Sequence, residues 1–105
     1  MANLGGAVTF RGAADVPNCS AIVRMEHSLN VFVNSIPVSR QYDRNTPHKF
    51  PIADTCLIHS VPITHGAKTV KVNGRGCGRV GDNVGPNCTS VAEGSKNVFA
   101  WGEEG

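Results

Sequence analysis

Apolar and charged positions alternate along Thr69-Val70-Lys71-Val72, the period-two pattern of a strand with one buried face. Asn73-Gly74 follows and predicts a two-residue hairpin turn, since both residues tolerate positive φ. Gly76-Cys77-Gly78-Arg79-Val80 is then the return strand. The same grammar stands earlier in the chain. Strand-like alternation around Asn30-Val31-Phe32-Val33 leads to a turn at Asn34-Ser35 and a return through Pro37-Val38-Ser39-Arg40. With His27 placed over Gly66 and Gly94, the residues Val31, Val33, Asn34, Arg40 and Asp43 fall on Val70, Val72, Asn73, Arg79 and Asp82. A third copy, Glu93-Gly94-Ser95-Lys96-Asn97-Val98-Phe99-Ala100, parallels Glu26-His27-Ser28-Leu29-Asn30-Val31-Phe32-Val33 and then runs out at the C-terminus. Repetition on this scale marks a supersecondary unit that cannot bury its apolar face alone. No segment of useful length has helical period, so the expectation is an all-β fold of three β-hairpin repeats. The small-residue-rich segment Met1 to Val16 is expected to lie extended over the body or to be partly mobile, with Ala7 to Phe10 able to add a strand. Tyr42 to Ser60 is expected to be irregular, because Pro47 and Pro51 oppose regular pairing.

Size narrows the options. A chain of 105 residues makes a single domain, 1–105, with no room for a separate catalytic module. Aromatic residues are only 6% of it, so the core is thin and calls for a staple. The 10 basic and 8 acidic residues nearly balance and form no basic cluster, which gives electrostatic binding of nucleic acid no support. No charged n-region with an apolar stretch opens the chain, and no apolar run approaches the roughly 20 residues of a membrane span. Synthesis in a reducing cytoplasm without a signal peptide is therefore expected. In that setting four cysteines point to metal rather than to disulfides.

The ligand-type residues are placed in step with the repeats. Asn18-Cys19-Ser20 precedes the first unit, Asn87-Cys88-Thr89 precedes the third, and His59 stands in the same relation to the second. His48 lies upstream in the same loop as His59. Three such residues meet at a common point if the three hairpins pack around an axis. With His48 as the fourth, Cys19, His48, His59 and Cys88 form a closed tetrahedral set that suits one structural Zn²⁺. Cys56-Leu57-Ile58-His59 is a C-x-x-H, a spacing that lets two side chains converge from one turn, so Cys56 is the alternative to Cys19 or His48. Apparent binding energies of about 10–16 kcal/mol for small zinc modules would dominate so thin a core. A disulfide pairing is the competing use of the cysteines. His27 and His65 read as surface histidines, and Cys77 as a buried small apolar residue.

Other motifs fail on context. Gly76-x-Gly78-x-x-Gly81 fits a dinucleotide fingerprint but is followed by no helix, so its glycines serve close backbone packing instead. The Asn18 and Asn87 tripeptides match a glycosylation pattern too short to weigh. No nucleophile or carboxylate pair has a catalytic setting, and the chain is read as a non-enzyme.

Taken in order, these residues resemble the PAAR-repeat proteins, the tips of spikes in contractile phage tails and type VI secretion systems. The naming motif stands here in altered form as Pro37-Val38-Ser39-Arg40 and Gly76-Cys77-Gly78-Arg79, each followed by a Gly-Asp-like end, Tyr42-Asp43 and Gly81-Asp82. Thr46-Pro47-His48, Cys56-x-x-His59, Val72-Asn73-Gly74 and Cys88-Thr89 through Asn97-Val98-Phe99 also match, over roughly residues 11 to 100. The resemblance implies a small conical β pyramid with pseudo-threefold symmetry, zinc-stapled near its apex by three His and one Cys. His48, His59 and Cys88 carry over directly. The remaining histidine falls at Asn18, beside Cys19, so Cys19 is expected to substitute. Ser35 and His27, each in place of a glycine, make the first repeat the most drifted.

The implied partner is the trimeric spike β-helix, one tip per trimer, with transient contact to a target-cell outer membrane. Open strand edges at the base would be satisfied by capping that β-helix. The tip itself is expected to be monomeric, located at the tail baseplate of a virion or secreted through a type VI system. It ends shortly after the third repeat, so it is expected to be a bare tip, able to act as a cargo adaptor. The alternative from another class is a free-standing small zinc-binding interaction module.

Overall fold

The computed structural model describes residues 5–17, 21–52, 55–85 and 88–102. Twelve short strands pair antiparallel into two-stranded ribbons, and no helix occurs among the described residues. One set of three ribbons joins β4 (Phe32–Val33) to β5 (Ile36–Pro37), β8 (Lys71–Val72) to β9 (Arg75–Gly76), and β12 (Phe99–Trp101) to β1 (Gly5–Ala7). The other set joins β2 (Ala14–Asp15) to β3 (Ile22–Val23), β6 (His48–Ile52) to β7 (Thr55–His59), and β10 (Asn83–Val84) to β11 (Thr89–Ser90). The expected all-β class and its hairpins are thus observed. Ribbons this narrow hold little on their own. Their stability comes from how they are stitched together.

The stitching is cyclic. Thr9 N donates to Gly78 O, Gly78 N to Ser39 O, and Ser39 N back to Thr9 O, at 3.0, 3.0 and 3.2 Å. One residue pair further out, Arg11, Gln41 and Val80 donate to Pro37, Gly76 and Ala7. Beyond the ring, the N–H groups of Gly12, Tyr42 and Gly81 meet the carbonyls of Arg24, Ile63 and Val91. Those three donors have positive φ, +85°, +73° and +92°, so every unit turns the same corner in the left-handed region. This register gives each position a counterpart in the other two units.

The N-terminal segment adds a strand, as expected of it, though at Gly5–Ala7, and that strand completes the third repeat. The copy that runs out after Ala100 receives its return strand from β1, with Gly5, Gly6 and Ala7 opposite Trp101, Ala100 and Phe99. Val8, Thr9 and Phe10 then occupy the places held by Val38-Ser39-Arg40 and Cys77-Gly78-Arg79 in the other units.

Burial follows the same triads. Val8, Val38 and Cys77 pack with Val33, Val72 and Ala100 in one cluster. Cys77 is buried as expected, and desolvation pushes its thiol pKa up to about 11. A second cluster holds Ile63, Val84 and Val91. Its triads are completed by polar residues, Arg24 beside Ile63 and Val91, Asp15 and Asn45 beside Val84, all fully buried. The units also lean closely on one another: a Cβ at Gly66 would sit 2.5 Å from Gly76 O.

Two arginine turns lock the corners. Arg40 N and Arg79 N each donate to the Oδ2 of Asp43 and Asp82 at 2.8 Å, and the guanidinium of each returns to the same carboxylate. Arg79 also reaches the carbonyls of Ala100 and Gly102, tying the closing strand to the corner.

Tyr42 to Ser60 is not irregular either. The β6–β7 ribbon in it is the longest of the six, with Pro51 paired opposite Cys56. A two-stranded ribbon is edge on both sides, so a missing N–H need not cost a ladder bond.

Candidate metal centre

Ligand-type residues sit on the second set of ribbons, and the cyclic scheme stitches that set together. Val16 N donates to Ser90 O, Thr46 N to Val23 O, and Gly85 N to Pro62 O, at 2.9, 2.9 and 2.7 Å. Each ribbon is thereby tied to the next. Val16 leads into the connection that carries Cys19, and Gly85 into the one that ends at Cys88. Thr89 Oγ1 donates to Val16 O and brings the neighbour of Cys88 against the entry to the Cys19 segment.

His59 ends β7 and Cys88 immediately precedes β11. Their side chains meet across the two ribbons, with Cys88 Sγ 3.3 Å from His59 Nε2. A tetrahedral zinc with Zn–S near 2.3 Å and Zn–N near 2.05 Å sets sulfur and nitrogen ligands about 3.6 Å apart. The observed approach is close to that edge, and thiolate with imidazole is a donor pair zinc favours. Both side chains are partly buried. The residues present therefore fit a zinc ligand pair.

His48 opens β6 directly opposite His59 in the ladder. Its backbone position thus belongs to the same end of the same ribbon as His59. The Cys19 position lies outside the described residues. Among the described side chains, no group of three or more metal ligands occurs. Cys56 is paired with Pro51 rather than lying near the His59 end. Three residues along a strand amount to about 10 Å and fall on alternate faces. The C-x-x-H spacing is consequently not a turn, and the His59–Cys88 contact is made between ribbons.

His65 is exposed and His27 half-buried. Sequence reasoning had no signal for another polar concentration, the side chains of Tyr42, Arg44 and Arg75 gathered around one cleft. Those residues come from two different units, and only the cyclic packing brings them together. Compared with models of known protein families and with curated proteins, the sequence matches none.

Proposed function

We propose that the chain is a spike tip of the PAAR-repeat kind, set on the end of a trimeric β-helix in a contractile phage tail or a type VI secretion machine. The observation that carries the proposal is the cyclic repetition. One chain closes three like units around a ring of backbone hydrogen bonds between Thr9, Ser39 and Gly78. A single subunit of that kind can meet a true trimer without a gross symmetry mismatch.

The two sets of ribbons suit two ends of such a tip. The first set carries exposed apolar side chains, Leu29, Phe32, Val70, Val98, Phe99 and Trp101, with Phe99 and Trp101 stacked at 6.2 Å. Such a surface suits burial against a partner. The second set carries Cys88 and His59 in contact, with His48 in register with His59. Zinc, when bound, supplies a cross-link between ribbons that have little apolar core beneath them. Cys88 and His59 would hold it with His48 and Cys19, and the site would be structural. The function is mechanical rather than catalytic: a stiff point on a spike that passes an outer membrane.

Two measurements test this. Co-expression with a trimeric spike β-helix, followed by native mass spectrometry, should give one tip per trimer. Metal analysis of the purified chain should give one zinc, lost in Cys88→Ser and in His59→Ala. A tip that never binds any spike trimer yet holds zinc would leave a free-standing zinc module or cargo adaptor. A chain with neither property overturns both readings.

A further inference from the structure

One side of the molecule breaks the threefold scheme in a concentrated way. A cleft of about 600 Å³ is lined there by Glu26, Arg40, Tyr42, Asp43, Arg44 and Arg75. Through the hydrogen-bond register, Tyr42 stands where the other units have Gly12 and Gly81. Arg44 stands where they have Ala14 and Asn83, and Arg75 where they have Gly6 and Ile36. His27, on the wall of the same cleft, replaces Gly66 and Gly94. Divergence in a repeat is expected to scatter. Here it converges on one cavity.

One of these departures carries a cost that packing does not offset. Tyr42 has φ +73° yet leaves 62% of its surface exposed. A left-handed backbone is unfavourable for a side-chain-bearing residue where glycine adopts it freely. Strain of this kind, kept without a packing return, gathers at binding sites.

The charges in the cleft have a definite surplus. Asp43 is consumed within the protein: Oδ2 accepts from Arg40 N and Nε, and Oδ1 from Arg40 Nη2 and Arg75 Nη1, at 2.8 to 3.0 Å. Glu26 accepts from Arg44 N and Nε at 2.7 and 3.3 Å. Partial burial pushes its pKa up, but the Arg44 hydrogen bonds and the Arg44 and Arg75 charges outweigh that and hold it below its ordinary value. Three guanidiniums thus face two carboxylates. Arg40 gives two further donors to His27 O and Asn73 Oδ1. Arg44 and Arg75 stay 56% and 42% exposed, and each has N–H groups beyond those given to Glu26 and Asp43. Two part-exposed guanidinium forks with donors to spare are suited to a phosphate. The exposed ring of Tyr42, with Met25 and Leu29 beside it, adds a flat apolar wall.

We propose that this cleft binds a phosphorylated sugar, with the phosphate on Arg44 and Arg75 and the sugar ring against Tyr42. The cleft shares Leu29 and Arg75 with the first ribbon set, so it is tested on the chain without a spike partner. The test is calorimetric titration of the full chain with glucose 1-phosphate, inorganic phosphate and glucose. Glucose 1-phosphate should bind about tenfold or more tighter than inorganic phosphate, and glucose not at all. Arg75→Ala and, separately, Arg44→Ala should weaken both phosphates, while Tyr42→Gly should abolish only the preference for the sugar phosphate. Each variant is compared by its amide NMR spectrum, and two independent arginine variants guard against one failing to fold. Equal affinity for the two phosphates overturns the sugar half. Binding unchanged in both arginine variants, or no binding of either phosphate at millimolar concentration, overturns the site.

Discussion

Replacing Asp15 by Val should break an ion pair sealed from water, and the repeat itself supplies the repair. Arg24 and Asp15 side chains are fully buried, with Nη2 3.1 Å from Oδ2. The guanidinium gives Nη1 to Asp43 O, while its Nε has no hydrogen-bond partner among the described residues. Burial lowers the Arg24 pKa, and the charges of Asp15 and Asp43 oppose that. Asn45 Nδ2 adds a 3.0 Å bond to Asp15 Oδ2. Removing either charge strands the other, at about 3–5 kcal/mol for a pair broken in the interior. A domain this size has about 5–15 kcal/mol in total, so each single variant should be close to unfolding. The counterparts of Arg24 are Ile63 and Val91, and Val84 is a counterpart of Asp15. The double variant Arg24→Ile/Asp15→Val writes that apolar solution into the first unit. Its remaining cost is the acceptor lost by Asn45, about 1–3 kcal/mol. Urea denaturation followed by far-ultraviolet circular dichroism, at one fixed zinc concentration, measures all three variants. A double variant more stable than either single one is the expected result. A double as damaged as the sum of the singles, or a single costing under about 1 kcal/mol, would refute the reasoning.

Glycine at the two strained side-chain-bearing corners should stabilise: Tyr42→Gly and Ser35→Gly, at φ +73° and +67°, by about 0.5–1 kcal/mol each in the same urea assay. Gly66→Ala should do the opposite, because its Cβ would stand 2.5 Å from the Gly76 carbonyl oxygen, and thermal denaturation should show a fall of several degrees. Alkaline pH should destabilise through Cys77, whose thiol pKa is raised by burial from 9.0 to about 11. A raised folded pKa means the contribution is whole below about pH 9 and is lost as pH rises toward 11, by about 2–3 kcal/mol. Cys77→Ala should flatten that part of the stability–pH curve relative to the native chain.

The hairpins were legible because their signals are local. Asn73-Gly74 and Asn34-Ser35 each adopt positive φ at both residues, as the two-residue turn requires. The completion of the third unit was not legible, because the N-terminal segment has Phe10 and Ala13 where the other units have the Arg–Asp pair. With that signature gone, only the backbone bonds of Val8, Thr9 and Arg11 reveal the kinship. Prolines misled at β6–β7, since a rule drawn from central strands does not govern a free ribbon. At the candidate site, His59 and Cys88 could be named from their place before each unit, but the C-x-x-H spacing suggested a local turn. Contact arises instead between ribbons that are distant in sequence.

Closure of the chain on itself has a consequence for how the molecule can diverge. Because β1 completes the unit begun by β12, no repeat is terminal, and none needs the polar capping that an open array requires. All three corners are held by the same backbone bonds, so side chains at any one corner are released from the duty of defining the fold. The second ribbon set, on the proposed reading, has to bring its ligand-type residues together, which constrains its side chains. The first unit is under no such demand at Tyr42, Arg44 and the facing Arg75. A ring built from backbone hydrogen bonds therefore tolerates one asymmetric face, and the strain kept at Tyr42 is what distinguishes a retained cleft from simple decay.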